Sequence, residues 1–367
     1  MSCYTGSSLP IMSSAIRDSL ASFARRWSAV RAARAEASAA REFWDAGAPG
    51  EPEDRYWGSQ PLVRRAINRR VTGDPNRWPM EWFAAKYAPA PLPLGLSVGC
   101  GTGLLERDIL AKGLCARVEG VDFSPESISE AERAAEEAGL ARRLAYRVED
   151  INAIRLPARR YDAVFFHGSL HHLRNIERVL EEVRSAMRPG GLVFVDEYMG
   201  PARTEWTDEK WGFARSAFDA LPEELKNRPE LAIPLPMDDP SESVRSSAIL
   251  PACRRLFEVL EDRPYGGNIL WFVFPCLDVA RLTEDRTGAL SRLIALEDPV
   301  RPLPPRVMRA HEVVGGKNTA RHEEGSEEDE VEGEQRRESE APRCHSRGVP
   351  APRPQSRGVP APRRRRH

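Results

Sequence analysis

The chain has 367 residues, enough for two domains, but its 31 prolines, 26 glycines and the charged residues that make up 30% of it are concentrated outside the centre. This distribution favours one α/β domain of about 200 to 250 residues with less compact ends. The formal net charge of -1 gives no overall bias toward nucleic acid or membrane, and six cysteines without a CxxC pair indicate reduced thiols rather than a disulfide framework.

The first residues, MSCYTGSSLPIMSSAI, lack a charged segment followed by a long apolar run. No later segment offers the ~18 uninterrupted apolar residues that a membrane span requires. We therefore expect a soluble, cytoplasmic protein that makes no use of a membrane.

Residues 13–45 carry apolar side chains at helical spacing, which predicts one or two amphipathic helices within an N-terminal extension over residues 1–60. These helices are expected to pack on the domain or to act as a lid. The basic residues among them could mark a nucleic-acid surface, but the acids between them favour a solvated helix face, so nucleic acid is not an expected partner. The apolar positions are Ile16, Leu20, Phe23, Trp27 and Val30.

Two further helical pieces follow, one over Leu62 to Arg70 and one that ends near Tyr87. The aromatic residues Trp78, Trp82 and Phe83 precede the first strand. They could cover the edge of a cofactor or simply pack in the core, and the sequence leaves both roles open.

The central unit of the chain is a strand, a glycine turn, a helix and a second strand. The strand Leu94 to Val98 runs into Gly99-Cys100-Gly101-Thr102-Gly103, and a helix from Leu104 to Lys112 follows. The second strand, Ala116 to Val121, ends in Asp122, 19 residues after Gly103. Glycines allow the backbone to approach a ligand, and an acid at that distance can accept from two ribose hydroxyls, so the unit predicts a nucleoside-like cofactor.

The spacing of the glycines narrows the choice of cofactor. The turn is G-x-G-x-G, tighter than the G-x-G-x-x-G of dinucleotide sites, and it leaves less of the helix N-terminus facing a pyrophosphate. A cofactor without phosphates fits better. A tight strand-to-helix connection without any ligand remains the structural alternative.

With the motifs LSVGCGTG and GVDFS, residues 94–200 resemble the core of the class I S-adenosylmethionine-dependent methyltransferases. The resemblance implies an α/β fold, a doubly wound, mostly parallel seven-stranded Rossmann-like sheet, with S-adenosyl-L-methionine over the carboxyl ends of the first strands. The family often has an acid where this chain has Ser97. The implied cofactor-binding residues are Gly99, Cys100, Gly101, Gly103, Asp122, Phe123, Asp150, Ile151 and His167.

Within that set, Asp150 and Ile151 follow the third strand, Tyr146 to Val148, which comes after a helix from Ser127 to Gly139. The resemblance implies that the acid meets the adenine amino group and that the next residue packs on the ring. Asp150 could instead only cap a loop.

A histidine-rich loop follows the fourth strand, Tyr161 to Phe166, at the sheet edge that carries the glycine turn. Imidazoles can accept a proton at neutral pH, so His171 and His172 are candidate general bases, or residues that shape the loop. No third ligand at metal-site spacing accompanies these histidines and His167, so no metal is expected.

After a helix from Asn175 to Met187, the fifth strand, Leu192 to Val195, exits into Asp196 and Glu197. Glu197 is the third catalytic candidate, although either acid could instead only cap the following loop.

Residues 201–250 leave the core pattern, and the resemblance implies that an insertion at this place sets substrate specificity. Its DPSESVRSS stretch is expected to contact substrate, although Ser241 could equally cap the start of a helix. The C-terminal part predicts a helix over Ile249 to Arg255, a strand over Phe257 to Tyr265, helices over Asn268 to Val279 and Thr283 to Leu296, and a weak last strand over Val307 to Val314.

The tail differs in kind from the rest of the chain. Residues 323–340 contain ten acids, and SRGVPAPR occurs twice before the chain ends in four arginines and a histidine. Neither part can bury a core, so residues 315–367 are expected to be a disordered tail. The methyltransferase domain is expected over residues 61–314.

The function that these features predict is methyl transfer from S-adenosylmethionine to a nucleophilic oxygen, nitrogen or carbon of a small or medium-sized metabolite. One alternative is a nicotinamide-dependent oxidoreductase, which the glycine spacing disfavours. Another is a non-catalytic cofactor-binding protein of the same fold, for which Ser97 and the weak last strand argue. The sequence does not indicate the acceptor or the oligomeric state.

Overall fold

A computed structural model of the chain describes residues 28, 31, 35, 36, 38–45, 57–231, 239–267, 269–282, 288–297 and 305–310. The chain divides into two units, Met1–Val314 and Gly315–His367, and every described residue lies in the first. The expectations for residues 1–27 and for the tail therefore lie outside the described residues. Residues 38–45 are helical, as predicted. None of the described helices is both long and apolar enough to cross a membrane.

Strands and helices are interleaved along the described residues, with no α-helix between the third and fourth strands. The strands are β1 (Leu92–Val98), β2 (Cys115–Asp122), β3 (Leu144–Val148), β4 (Tyr161–His167), β5 (Met187–Asp196), β6 (Phe257–Asp262) and β7 (Pro305–Ala310). The helices are α1 (Pro61–Thr72), α2 (Pro79–Tyr87), α3 (Leu104–Ala111), α4 (Pro125–Glu137), α5 (Ile176–Ala186), α6 (Asp208–Asp219), α7 (Ile249–Leu256), α8 (Leu270–Val273), α9 (Val279–Leu282) and α10 (Ala289–Leu296).

The seven strands form one sheet in the order β3-β2-β1-β4-β5-β7-β6. The first five strands pair in parallel, and β7 runs antiparallel between β5 and β6. The seven-stranded, mostly parallel sheet predicted from the sequence is thus confirmed. Its last strand, β7, begins at Pro305 rather than at Val307, and residues 311–314 of the predicted strand lie outside the described residues. The strand order reverses between β1 and β4, which is where open α/β sheets form ligand crevices.

Helices cover both faces of the sheet, and each face has its own apolar core. Phe83, Phe165 and Phe194 belong to the cluster on one face, whereas Val164, Phe166 and Leu180 belong to the cluster on the other. Successive residues of β4 serve opposite faces, and Ala163, Val164, Phe165 and Phe166 are all at most 1% exposed. A central parallel strand needs apolar residues on both faces, which explains its unbroken apolar run.

Several predicted boundaries were wrong. β5 begins at Met187 rather than at Leu192, because Met187 pairs with Tyr161 across an irregularity in the β4–β5 ladder. The helix predicted from Asn268 to Val279 is broken into α8, a 3₁₀ turn and α9. The break falls at Pro275, which lacks a backbone N–H. β6 already ends at Asp262 instead of reaching Tyr265. Helix α10 spans Ala289–Leu296 after Gly288 in the left-handed conformation, and residues 283–287 of the predicted helix lie outside the described residues.

Candidate active site

The glycine turn at the end of β1 is held against β2 by its own backbone. The amides of Gly99 and Cys100 donate to the carbonyl of Val121 at 2.8 and 3.1 Å. Gly99 has φ of +72°, and a Cβ built there would lie 2.4 Å from the Cβ of Ser169. Gly101 has φ of +50°, but a Cβ there would meet nothing within 4 Å. Gly99 is therefore required by packing, whereas Gly101 borders open space.

Asp122 closes this turn from the neighbouring strand. Its Oδ2 accepts from the amide of Gly101 at 2.9 Å, and its Oδ1 accepts from the amide of Ser124 at 3.0 Å. The side chain is only 7% exposed, and burial raises the pKa of its carboxyl, an effect that these amides oppose. A carboxylate has about four lone-pair sites, so both oxygens can still accept from a ligand hydroxyl.

A cavity of about 1120 Å³ opens beside the turn and extends to the histidine loop. It is large for a single small-molecule site, for which about 300 to 1,000 Å³ is common. Most predicted cofactor residues line it, namely Gly99, Cys100, Gly101, Asp122, Phe123, Asp150, Ile151 and His167.

Gly103 is absent from the cavity wall. It is the N-cap of α3 with φ of +75°, and a Cβ there would lie 2.4 Å from the hydroxyl oxygen of Tyr146. Its geometry thus accounts for the glycine by packing against β3 rather than by contact with a cofactor.

Asp150 caps a loop, which was one of its two possible roles, and it also borders the cavity. Its Oδ1 accepts from the amide of Asn152 at 3.0 Å, which caps a 3₁₀ turn over Ile151–Ala153. The side chain is exposed and also borders the cavity beside Ile151, which is 5% exposed.

The three catalytic candidates are brought together, but in different environments. Glu197 is fully buried, and its Oε1 accepts from the amides of Ser169 and Leu170 at 2.6 and 2.8 Å. Its Oε2 lies 2.8 Å from Nδ1 of His171. Neither Glu197 nor His171 lines the cavity, whereas His172 does. The position of Glu197 does not suit the role of a base that contacts substrate, because its carboxylate is engaged behind the loop.

His172 meets the insertion predicted to touch substrate. Its Nδ1 lies 3.1 Å from Oγ of Ser241 and 3.4 Å from Oδ2 of Asp239. The ring of Trp44 approaches His172 edge-on at 5.4 Å between centroids. Burial and the adjacent His171 lower the pKa of His172, which favours its neutral imidazole. Ser241 also lines the cavity, in line with the predicted location of the DPSESVRSS stretch.

Glu242 is a residue that the sequence reasoning missed. It is 5% exposed, and its Oε2 lies 3.6 Å from Nε2 of His171 and 3.9 Å from Nε2 of His172. Burial opposes its ionisation, but the histidines lower the pKa of Glu242 to about 2. Burial likewise opposes protonation of His171, yet Glu242 and Glu197 together raise its pKa. In the sequence, the one indication of a role for Glu242 was its place in the DPSESVRSS stretch, which was expected to contact substrate.

Glu106 is the second residue that was missed. It lies in the first turn of α3, is 0% exposed and lines the cavity. Neither of its carboxylate oxygens has a hydrogen-bond partner among the described residues. Burial raises the pKa of Glu106 to about 7, while the nearby hydroxyl of Ser97 favours the charged form. An acid in the first turn of a helix is common, so the sequence offered no distinctive signal.

Part of the chain is similar in sequence to known methyltransferases. The sequence model of the methyltransferase domain matches residues 96–191. The chain is 38% identical over 112 residues to a ubiquinone biosynthesis O-methyltransferase of Methylocella silvestris, which covers 30% of this chain and 42% of that protein. It is 33% identical over 104 residues to sterol 24-C-methyltransferase erg6 of Aspergillus fumigatus, covering 28% of this chain and 27% of that protein.

The matched segment thus spans less than half the length of these curated relatives. Among solved structures, an S-adenosylmethionine-dependent methyltransferase from Mesorhizobium loti is 21% identical, with a TM-score of 0.39 over 63% of this chain and 97% of that chain. The matched residues run from within β1 to within β5 and include the glycine turn and Asp122. The match to the methyltransferase domain and the likeness to these relatives support the class I S-adenosylmethionine-dependent methyltransferase superfamily, whose cofactor is S-adenosyl-L-methionine.

Proposed function

We propose that the chain transfers the methyl group of S-adenosylmethionine to an oxygen, nitrogen or carbon nucleophile of a small or medium-sized metabolite. The observation that carries this proposal is the single cavity that joins the glycine turn and Asp122 to His172 and the insertion. A cofactor at one end and an acceptor at the other would meet within it.

The residues at the glycine turn fit the cofactor. Gly101 leaves room for close approach of a ligand, and Asp122 can accept from ribose hydroxyls. Glu106 presents a buried carboxylate without a hydrogen-bond partner among the described residues, which suits an ammonium group such as that of the cofactor's amino-acid part. Because Ser97 supplies no carboxylate, Glu106 offers the negative charge from the neighbouring helix. Asp150 and Ile151 are suited to hold the adenine.

The opposite end of the cavity suits the acceptor. Trp44, whose ring approaches His172, provides apolar surface there, while His172 and Ser241 provide polar contacts. S-adenosylmethionine supplies a methyl group already activated by a sulfonium sulfur, so orienting the nucleophile is the protein's main contribution. His172 faces the cavity and is the residue best placed to contact the reacting group.

Both alternatives are less well supported. The matching family is a methyltransferase domain, which argues against a nicotinamide-dependent oxidoreductase. The non-catalytic alternative relied in part on the weak sequence pattern of the last strand. That strand is present as β7 and pairs with both β5 and β6.

Two measurements test the proposal. Calorimetric titration should show binding of S-adenosylmethionine and none of NAD or NADP. Labelled methyl groups should then be transferred to at least one member of a panel of hydroxyl, amine and carbon-acid acceptors. Binding of NAD without S-adenosylmethionine would contradict the cofactor. Cofactor binding without transfer to any acceptor in a lysate metabolite extract would favour the non-catalytic alternative.

A further inference from the structure

We propose that His171, His172 and Glu242 form a binding site for a divalent transition-metal ion in the wall of the cavity. One ligand atom from each residue lies within 4.8 Å of the others. The Nε2 atoms of His171 and His172 are 3.6 and 3.9 Å from Oε2 of Glu242. Ligand bonds of about 2.0 to 2.2 Å to one ion require separations only slightly shorter than these.

The hydrogen bonds of the two histidines leave the same nitrogen free on each ring. Nδ1 of His171 faces the carboxylate of Glu197 at 2.8 Å, and Nδ1 of His172 lies near Ser241 and Asp239. A carboxylate accepts, so the Nδ1 of His171 donates, and its Nε2 is the nitrogen that would bind an ion in exchange for a proton. Metal-binding histidines are oriented in this way by carboxylates behind them.

The supporting groups are themselves fixed. Glu197 is held by the amides of Ser169 and Leu170, and Oε1 of Glu242 accepts from the hydroxyl of Ser243 at 2.6 Å. Oε2 of Glu242 is thereby left facing the two imidazoles. Two lone pairs and a carboxylate oxygen that converge repel one another unless a proton or a cation lies between them.

The position of the cluster suggests what the ion does. His171 and Glu242 are each 5% exposed, whereas the side chain of His172 is 17% exposed and lines the cavity. Three protein ligands with one open side are typical of sites that bind a water or substrate oxygen. The ion would face the acceptor end of the cavity and could hold an oxygen of the acceptor there.

Two imidazoles and one carboxylate select the class of ion. Imidazole favours Zn²⁺, Fe²⁺, Co²⁺ and Ni²⁺, whereas Mg²⁺ and Ca²⁺ prefer oxygen ligands. The expectation of no metal rested on sequence spacing, but Glu242 lies 70 residues after His172 and comes from the insertion. With an ion bound, the ion and not the His172 imidazole would activate an acceptor hydroxyl.

The test measures metal binding directly and does not depend on methyl transfer. The full-length protein is stripped with a chelator, dialysed against micromolar Zn²⁺ or Co²⁺, and its metal content is measured by mass spectrometry. We expect one ion per chain above background and a Co²⁺ absorption spectrum of bound imidazole. Mg²⁺ should not compete. Glu242→Gln and His172→Gln should each weaken binding by 10-fold or more.

Matched variants separate this site from adventitious binding. His167→Gln and Glu106→Gln remove a histidine and a buried carboxylate from the same cavity, but neither residue belongs to the cluster, so both should bind the ion like the wild type. Melting curves identify variants that fail to fold. His172 is the most exposed of the three ligands, so His172→Gln should disturb folding least and still tests the proposal if Glu242→Gln does not fold. No retained ion in the wild type, or equal loss in cluster and control variants, would overturn the proposal.

Discussion

Oδ2 of Asp122 accepts a 2.9 Å hydrogen bond from the amide of Gly101, which joins the end of β2 to the glycine turn that follows β1. The acid and the turn therefore form one unit before any ligand binds. A ligand hydroxyl that approaches Asp122 meets a carboxylate already oriented by two backbone amides.

Replacing Asp122 should impair cofactor binding. Asp122→Ala is expected to weaken S-adenosylmethionine binding by ~10-fold or more, because a hydrogen bond to a charged group contributes about 1.5 to 3 kcal/mol. Calorimetry measures the affinity. Asp122→Asn is the control, since it retains an acceptor for one amide while removing the charge. Unchanged affinity in both variants would contradict the cofactor assignment.

Replacing Glu106 should have opposite effects on the stability of the cofactor-free protein and on its affinity for the cofactor. In the folded protein the pKa of Glu106 is about 7, above its ordinary value of 4.5. Ionisation of the buried carboxyl therefore lowers the free energy of unfolding, and this loss increases as pH rises from 4.5 to 7 and is constant at higher pH. Glu106→Gln removes that cost and should stabilise the cofactor-free protein at pH 8 by up to about 3 kcal/mol, with little effect at pH 5. Urea unfolding at both pH values measures the difference.

The same variant should bind the cofactor less well. If the carboxylate of Glu106 receives the ammonium group, S-adenosylmethionine affinity of the wild type should fall below pH 7, and Glu106→Gln should lose ~10-fold in affinity at pH 8 without that pH dependence. A variant that is stabilised yet binds as tightly as the wild type would show that Glu106 does not contact the cofactor.

The two adjacent histidines should respond differently to substitution. His172→Gln is expected to lower turnover by roughly 10² to 10⁴ with nearly unchanged cofactor affinity, because His172 lines the acceptor end of the cavity. His171→Gln should destabilise the fold by about 3 to 5 kcal/mol, since it leaves Glu197 and Glu242 buried without their shared partner. Turnover and urea unfolding are measured for both variants. The prediction is wrong if the two variants lose turnover equally and lose stability equally.

The two glycines of the turn offer a further contrast. Gly99→Ala should lower the melting temperature by several degrees, because its Cβ would lie 2.4 Å from that of Ser169. Gly101→Ala has no such contact and should cost only the strain of its positive φ, about 1 to 2 kcal/mol. Its methyl group should instead reduce cofactor affinity. Equal melting temperatures for the two variants would be inconsistent with this geometry.

The core of the fold could be predicted because each of its elements is specified locally. Apolar runs such as Tyr161 to Phe166, the stop at Gly113 and the capping Ser124 mark strand and helix ends within a few residues. The boundaries that failed depend on distant partners. Met187 extends β5 because it finds Tyr161 on β4, which no property of its own segment indicates.

The sequence by itself therefore determined the parallel sheet, the glycine turn, and the acid at its side, since their residue types and spacing follow from strand geometry and backbone approach to a ligand. Only the tertiary structure decided which side chains share one environment. It buried Glu106 without a partner among the described residues and brought Glu242, 70 residues from His172, against both imidazoles. Burial and proximity arise only when the chain packs, and they determine whether these carboxyl and imidazole groups are charged and what they can bind. The spacing of residues along the sequence does not indicate either property.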